Sequence, residues 1–193
     1  SQVVSGTSGE LRGVTFGSAN RAWVVGSSGK ILRTTDGGST WSTQSSGETK
    51  DLRSGHCVSS TKCWVVGHAG RVLKTTDGGQ TWTTQTVHAS PEEDFNSVHF
   101  VDVDKGWAVG DNGAAFKTTD GGATWSVSPT GVTVDLHGVM FIGNPEGGAI
   151  GADGTVYVGD SEGSVYAVDG KSGVKNWSFK PDDHIGSQRI MGL

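Results

Sequence analysis

Apolar residues fall in short runs along this chain, and the runs repeat. Leu11-Arg-Gly-Val-Thr-Phe16, Arg21-Ala-Trp-Val-Val-Gly26, Lys30-Ile-Leu-Arg-Thr-Thr35 and Thr40-Trp-Ser-Thr-Gln44 are rich in β-branched and aromatic residues and are divided by Gly-containing turns. Such runs predict β-strands. No long segment keeps the apolar period of about 3.6 residues that marks an amphipathic helix, so helices are expected to be nearly absent. The strand Trp23-Val-Val-Gly26 returns as Trp64-Val-Val-Gly67 and as Trp107-Ala-Val-Gly110, at separations of 41 and 43 residues. The two extra residues fall in the polar stretch around His88 to Asp94, which reads as a surface loop. Four short strands per repeat of this length is the size of a propeller blade, which buries both faces against its neighbours.

The ends modify the pattern. Ser5-Gly6 and Glu10-Leu11 align without a gap on Ser46-Gly47 and Asp51-Leu52, so residues 1–10 read as the partial strand of a closing blade. The full repeats span 11–51, 52–95 and 96–135. Leu136-His-Gly-Val-Met-Phe141 restarts the first strand, and 136–193 then diverges. About nineteen strands can be counted, and five blades need twenty, so the expectation is one all-β propeller of five blades over 1–193, with four as the alternative. Closure by the N-terminal strand is one solution, and pairing of open edges between chains is another.

Composition supports this picture. Gly accounts for 32 of 193 residues, spread through the chain beside only 4 Pro, which suits many tight turns. Seven Trp anchor an otherwise modest apolar content of 33%. No apolar run approaches the roughly 20 residues of a bilayer helix. The formal net charge of −5 makes a nucleic-acid backbone an unexpected partner.

Thr34-Thr-Asp36-Gly-Gly38-Ser-Thr40-Trp41 and its copies at 75–82 and 118–125 fit the Asp-box pattern Ser/Thr-x-Asp-x-Gly-x-Thr-Trp. Asp36, Asp77 and Asp120 are expected to accept backbone N–H bonds of their own turns, Gly38, Gly79 and Gly122 to take positive φ, and Trp41, Trp82 and Trp125 to pack beneath. With the Trp-x-Val-Gly strand ahead of each box, residues 11–135 resemble the BNR-repeat family of photosystem II stability/assembly factors. The resemblance implies a propeller that binds a client protein. Farther on, Ala167-Val-Asp169 with Gly173 and Trp177 resembles the docking repeat of quinoprotein propellers over 153–180, and implies blade packing. It implies no bound quinone. That likeness makes Thr155 to Asp160 a second strand, whereas the Asp-box frame makes it a third, and both frames stay open.

Asp-box propellers include glycoside hydrolases, but hydrolysis needs two carboxylates converging on one bond, and here they come one per blade. A sialidase site also needs an Arg cluster and a Tyr nucleophile, and the chain has six Arg and two Tyr, both in the divergent part. Neither catalysis nor a cofactor is expected. The six His show no metal-ligand spacing, so no metal is expected. Cys57 and Cys63 flank one hairpin turn in one repeat only, which reads as a disulfide, with two free thiols as the alternative. Relatives in the resembling family that carry such a pair imply an exported, oxidising compartment.

Charge placement is the remaining signal. In a four-stranded meander, the turn between strands one and two and the turn between strands three and four open on the same side. Arg21, Lys62 and Lys105 share one position there, and Arg33, Lys74 and Lys117 share a second, three residues before each box Asp. The opposite side receives inter-blade loops carrying Glu10, Glu48, Asp51, Glu92, Glu93, Asp94 and Asp135. Two interpretations remain: solvated strand ends, or a basic face that recruits an acidic partner. The leading expectation is a non-enzymatic interaction or assembly scaffold. A carbohydrate-binding propeller is the alternative, and a glycoside hydrolase the third.

Overall fold

The structure, a computed structural model, describes residues 9–87, 93–140, 155–160, 165–169 and 175–179. The fold is all-β, and these residues form four antiparallel sheets of four strands, each a simple meander. The first sheet holds β1 (Leu11–Ser18), β2 (Arg21–Gly26), β3 (Ile31–Thr34) and β4 (Ser42–Gln44). The second holds β5 (Leu52–Cys57), β6 (Cys63–Gly67), β7 (Arg71–Thr75) and β8 (Thr83–Gln85). The third holds β9 (Phe95–Phe100), β10 (Gly106–Gly110), β11 (Ala115–Thr118) and β12 (Ser126–Val127). Phe95, which the sequence places at the end of the second repeat, thus opens the third sheet. The fourth holds β13 (Leu136–Met140), β14 (Thr155–Asp160), β15 (Val165–Asp169) and β16 (Lys175–Phe179). Among the described residues the helical elements are three short 3-10 turns, Ser27–Gly29, His68–Gly70 and Asp111–Gly113.

The sheets stack in chain order, and the core lies between them. Trp23, Val25 and Ile31 of the first sheet pack on Leu52, Val65 and Leu73 of the second. Trp64, Val66 and Val72 pack on Phe95, Val98, Phe100 and Phe116 of the third. Val109 and Ala115 pack on Leu136 and Val139 of the fourth. Alternation sends Trp23 and Val25 to the face toward the next sheet and Ala22 and Val24 to the other. Because the second sheet is covered on both faces, β6 is buried along its whole length, which is why its sequence, Cys-Trp-Val-Val-Gly, has no polar position.

The Gly that ends each Trp-x-Val-Gly strand is required for room. Gly26, Gly67 and Gly110 are extended, but an added Cβ would lie 2.0, 2.1 and 1.8 Å from the carbonyl oxygens of Glu10, Asp51 and Asp94. That close approach lets the start of each first strand lie against the end of its second. In the fourth sheet, β14 pairs with β13 and β15, so Thr155–Asp160 is a second strand. Residues 1–5, Gly173 and the stretch 185–191 lie outside the described residues.

Candidate functional site

Each of the first three sheets carries the same aspartate turn. Asp36 Oδ1 accepts the Thr40 N–H at 2.9 Å and the Thr34 hydroxyl at 2.7 Å, and Asp36 Oδ2 accepts the Thr40 hydroxyl at 2.6 Å. Thr34 Oγ1 in turn accepts the Gly38 N–H at 2.9 Å. The same bonds recur at Asp77 with Thr75, Gly79 and Thr81, and at Asp120 with Thr118, Gly122 and Thr124. Gly38, Gly79 and Gly122 take φ of 91°, 85° and 87°, a region costly for side chains with a Cβ. Hydrogen bonds from the following Thr hydroxyl and amide, then from the preceding Thr hydroxyl, hold all three carboxyls down at about 2. Carboxylates so occupied stay ionised near neutral pH and have no proton to give as general acids.

The aspartate turn of each sheet meets the turn between its first and second strands. Gly37, Gly78 and Gly121 donate their N–H groups to Asn20, Thr61 and Asp104 at 3.0, 3.0 and 2.8 Å. Both sets of cations therefore sit at one end of each sheet. Trp23, Trp64 and Trp107 stand opposite Arg33, Lys74 and Lys117 in the strand register. Lys74 reaches the third sheet, donating from Nζ to the Gly121 carbonyl at 2.8 Å, with its ammonium 5.5 Å from the Trp64 ring centre. The Trp64 indole donates to the same carbonyl at 3.0 Å. Arg21 likewise donates across to the Ser60 carbonyl of the second sheet at 3.3 Å. Arg33, Lys62 and Lys117 are half-buried, and Lys105 is exposed with Asp102 4.0 Å away. Two of the six cations thus brace neighbouring sheets as well as charging the rim.

At the opposite end lies an arrangement that the sequence reading took for acidic surface loops. Asp51, Asp94 and Asp135 each accept, at 2.9 Å, the N–H of Ser28, Ala69 or Asn112 in the 3-10 turn of the preceding sheet. Those donors sit at φ of 56°, 55° and 55°. Arg12 adds a bond to Asp51 at 3.1 Å and Arg53 one to Asp94 at 2.7 Å. These aspartates latch one sheet to the next, Asp94 from a buried position, Asp51 from a partly exposed one and Asp135 from an exposed one. The signal was present in the sequence, since an acid precedes each repeat Trp by a constant 13 residues at Glu10, Asp51 and Asp94.

Cys57 and Cys63 form a disulfide between residues that pair directly across β5 and β6. Cys57 occupies the register position of Phe100 in the third sheet, where Trp64 stacks on the ring at 3.6 Å. The bridge thus fills, against Trp23, the space that Phe100 fills against Trp64. In the fourth sheet Ala167 is buried, stands opposite Trp177 and precedes the strand end at Asp169.

His56 and His99 lie on neighbouring first strands with ring centres 4.1 Å apart, and His56 Nδ1 accepts the Phe100 N–H at 3.2 Å. Burial, and secondarily the His99 charge, push His56 down to about 4, and burial lowers His99 as well. Between pH 6.5 and 4 the unfolded chain therefore binds protons that the folded one refuses, so stability falls as pH drops through that window. Denaturant unfolding at pH 7 and pH 4.5 should differ by roughly 2 kcal/mol through His56, and His56→Gln should remove most of the difference. The turn carboxylates titrate near 2 and lie below this window.

Among the described residues no helix is long and apolar enough to cross a membrane. The chain matches the family described as Photosynthesis system II assembly factor YCF48 over residues 2–90 and again over 56–191. It is similar in fold to YCF48 bound to D1 peptide, at 18% identity and a TM-score of 0.61, over 93% of this chain and 71% of that one. YCF48 from Cyanidioschyzon merolae is similar at 20% identity and a TM-score of 0.67, over 91% and 57% of the two chains. A GH74 enzyme from Niastella koreensis is similar at 17% identity and a TM-score of 0.66, over 86% of this chain and 29% of the enzyme. Nothing among the curated proteins matches the chain.

Proposed function

The chain belongs to the photosystem II assembly-factor family described as YCF48, and from that membership we propose that it is a non-enzymatic scaffold whose turn-bearing rim binds a segment of a client protein. The observation that carries the proposal is the repetition, in three successive sheets, of two cation positions at the aspartate-turn end. A relative holds a peptide, as the solved complex of YCF48 with D1 peptide records. In this chain the rim suits a peptide bearing carboxylates, with Lys62 and Lys105 as its steering charges and Arg21, Arg33, Lys74 and Lys117 behind them. The four sheets are read as blades of one propeller, the last carrying Ala167, Asp169 and Trp177 of the quinoprotein-like docking repeat. The disulfide supports an exported setting.

The hydrolase reading is weakened by the turn carboxylates, each closed into bonds of its own turn and each in a separate sheet. A carbohydrate-binding role is the alternative, and a glycan array decides it. The direct test is titration with a peptide ending in a free carboxylate. Lys62→Glu with Lys105→Glu should weaken binding about tenfold, more at low salt than at high. Lys30→Glu with Lys50→Glu, the same charge change at the opposite end, should leave it nearly unchanged. Equal weakening by the two pairs would overturn the rim assignment, as would binding to glycans and not to peptides.

A further inference from the structure

The junction of the first and second sheets and that of the second and third are built from matching parts, and one of them has donors left over. Between the second and third sheets, Lys74 Nζ and the Trp64 indole both donate to the Gly121 carbonyl, at 2.8 and 3.0 Å, and the Trp125 indole donates to the Gly122 carbonyl at 3.1 Å. Between the first and second sheets, Arg33, Trp23 and Trp82 hold those three positions, and Gly78 and Gly79 stand where Gly121 and Gly122 stand. There Arg33 Nε, Trp23 Nε1 and Trp82 Nε1 are shut from solvent, and no acceptor among the described residues takes any of them. The two indoles converge on the turn: a Cβ added to Gly79 would lie 2.7 Å from Trp23 Nε1 and 3.5 Å from Trp82 Nε1. The Gln44 amide oxygen, 3.3 Å from the same point, accepts from neither. Arg33 stands opposite Trp23 in the register, on the same face of the first sheet. Trp23 is 0% exposed, so its nitrogen is not one left to bulk water.

We propose that the junction of the first and second sheets, at the aspartate-turn end, is an anion site that takes one carboxylate group between Arg33 and the indoles of Trp23 and Trp82. A buried donor without an acceptor is costly, and folded proteins rarely keep one, still less three at one place. What the place lacks is acceptors and negative charge. A water oxygen accepts only a pair of bonds, brings hydrogens that need acceptors themselves, and leaves the guanidinium charge unanswered. A carboxylate has lone pairs on both oxygens and no hydrogen, and its charge answers Arg33. The surrounding charge agrees. The Arg21 guanidinium lies 3.5 Å from where a Cβ on Gly78 would be, whereas the Asp77 carboxylate is held in its own turn by Thr75 and Thr81. Arg33 is half-buried, so its side chain is the way in from the rim. The junction of the second and third sheets, with all three donors engaged, takes no such guest. As the seat of a client's carboxylate the site rests on the scaffold reading above, and as an anion site it does not.

The experiment is a titration of the full chain with sodium formate at constant ionic strength, following the indole N–H resonances, which are assigned by replacing one Trp at a time with Phe. A second arm uses a peptide ending in a free carboxylate and the same peptide amidated. Formate should shift the Trp23 and Trp82 resonances and leave those of Trp64 and Trp125 in place. Arg33→Lys is the most informative variant. It keeps the charge and copies Lys74, so its ammonium should close onto the Gly78 carbonyl as Lys74 does onto Gly121, and formate affinity should fall about tenfold or more. Lys74→Gln should leave that affinity nearly unchanged. Still resonances at Trp23 and Trp82, equal shifts at all four indoles, or equal losses in Arg33→Lys and Lys74→Gln would overturn the site. Shifts with formate and with neither peptide would keep the anion site and refute its use by a client. A peptide that binds while neither it nor formate moves Trp23 and Trp82 would overturn the site and leave the scaffold reading standing.

Discussion

Trp64→Ala should destabilise the protein by about 3 to 5 kcal/mol, read as a lowered midpoint in urea unfolding with little change in slope. Trp64 is fully buried, stacks on Phe100 at 3.6 Å with the planes 11° apart, and donates to Gly121 at 3.0 Å. Phe100 in turn meets Trp125 edge to face at 5.9 Å, so the loss would open a cavity in the largest of the three inter-sheet cores. Trp64→Phe separates the contributions. It keeps most of the apolar contact and loses the indole donor, while Lys74 still serves the Gly121 carbonyl. Its cost should therefore be near that of one neutral hydrogen bond plus modest repacking, about 1 to 2 kcal/mol. If Trp64→Ala cost no more than Trp64→Phe, the stacked interface would not be where stability resides.

The strands of the first three sheets and their meander order were legible in the sequence because each repeat is a local pattern: Trp-x-Val-Gly strands, Gly turns and Asp boxes at fixed spacing. The aspartate turns were equally legible, since every partner of Asp36 lies within four residues of it. What the sequence hid depends on the stacking of one sheet on another. Lys74 looks like a rim cation by position, and its bond to Gly121, 47 residues away, follows from the placement of the next sheet. Asp94 looks like part of a polar loop, since Glu92 and Glu93 precede it, yet it is 6% exposed. The position of Thr155–Asp160 could not be chosen in advance because its two likenesses demanded different strand orders, and pairing with β13 decides it.

Asp94→Ala should cost about 3 kcal/mol, several times the cost of the equivalent change at Asp51. Asp94 Oδ1 takes the Ala69 N–H at 2.9 Å and lies 2.8 Å from His68 Nδ1, while Oδ2 takes Arg53 at 2.7 Å. Its side chain is 9% exposed and that of Arg53 24%. Removing the carboxylate leaves a largely buried guanidinium with the Asn96 amide oxygen and, at 4.0 Å, Asp111. It also strands the N–H of a residue held at positive φ. Asp51 makes the corresponding bonds to Ser28 and Arg12, but its side chain is 30% exposed and that of Arg12 37%, so water replaces much of what is lost. Asp51→Ala should then cost only a small fraction of the Asp94→Ala loss. Asp94→Asn discriminates further, because its amide oxygen can still accept from Ala69 while the charge that answers Arg53 is gone. Its cost should fall between the two alanine variants. Urea unfolding of the three variants at one pH and salt concentration tests the ordering. Equal losses for Asp94→Ala and Asp51→Ala would mean that burial does not set the strength of the latch.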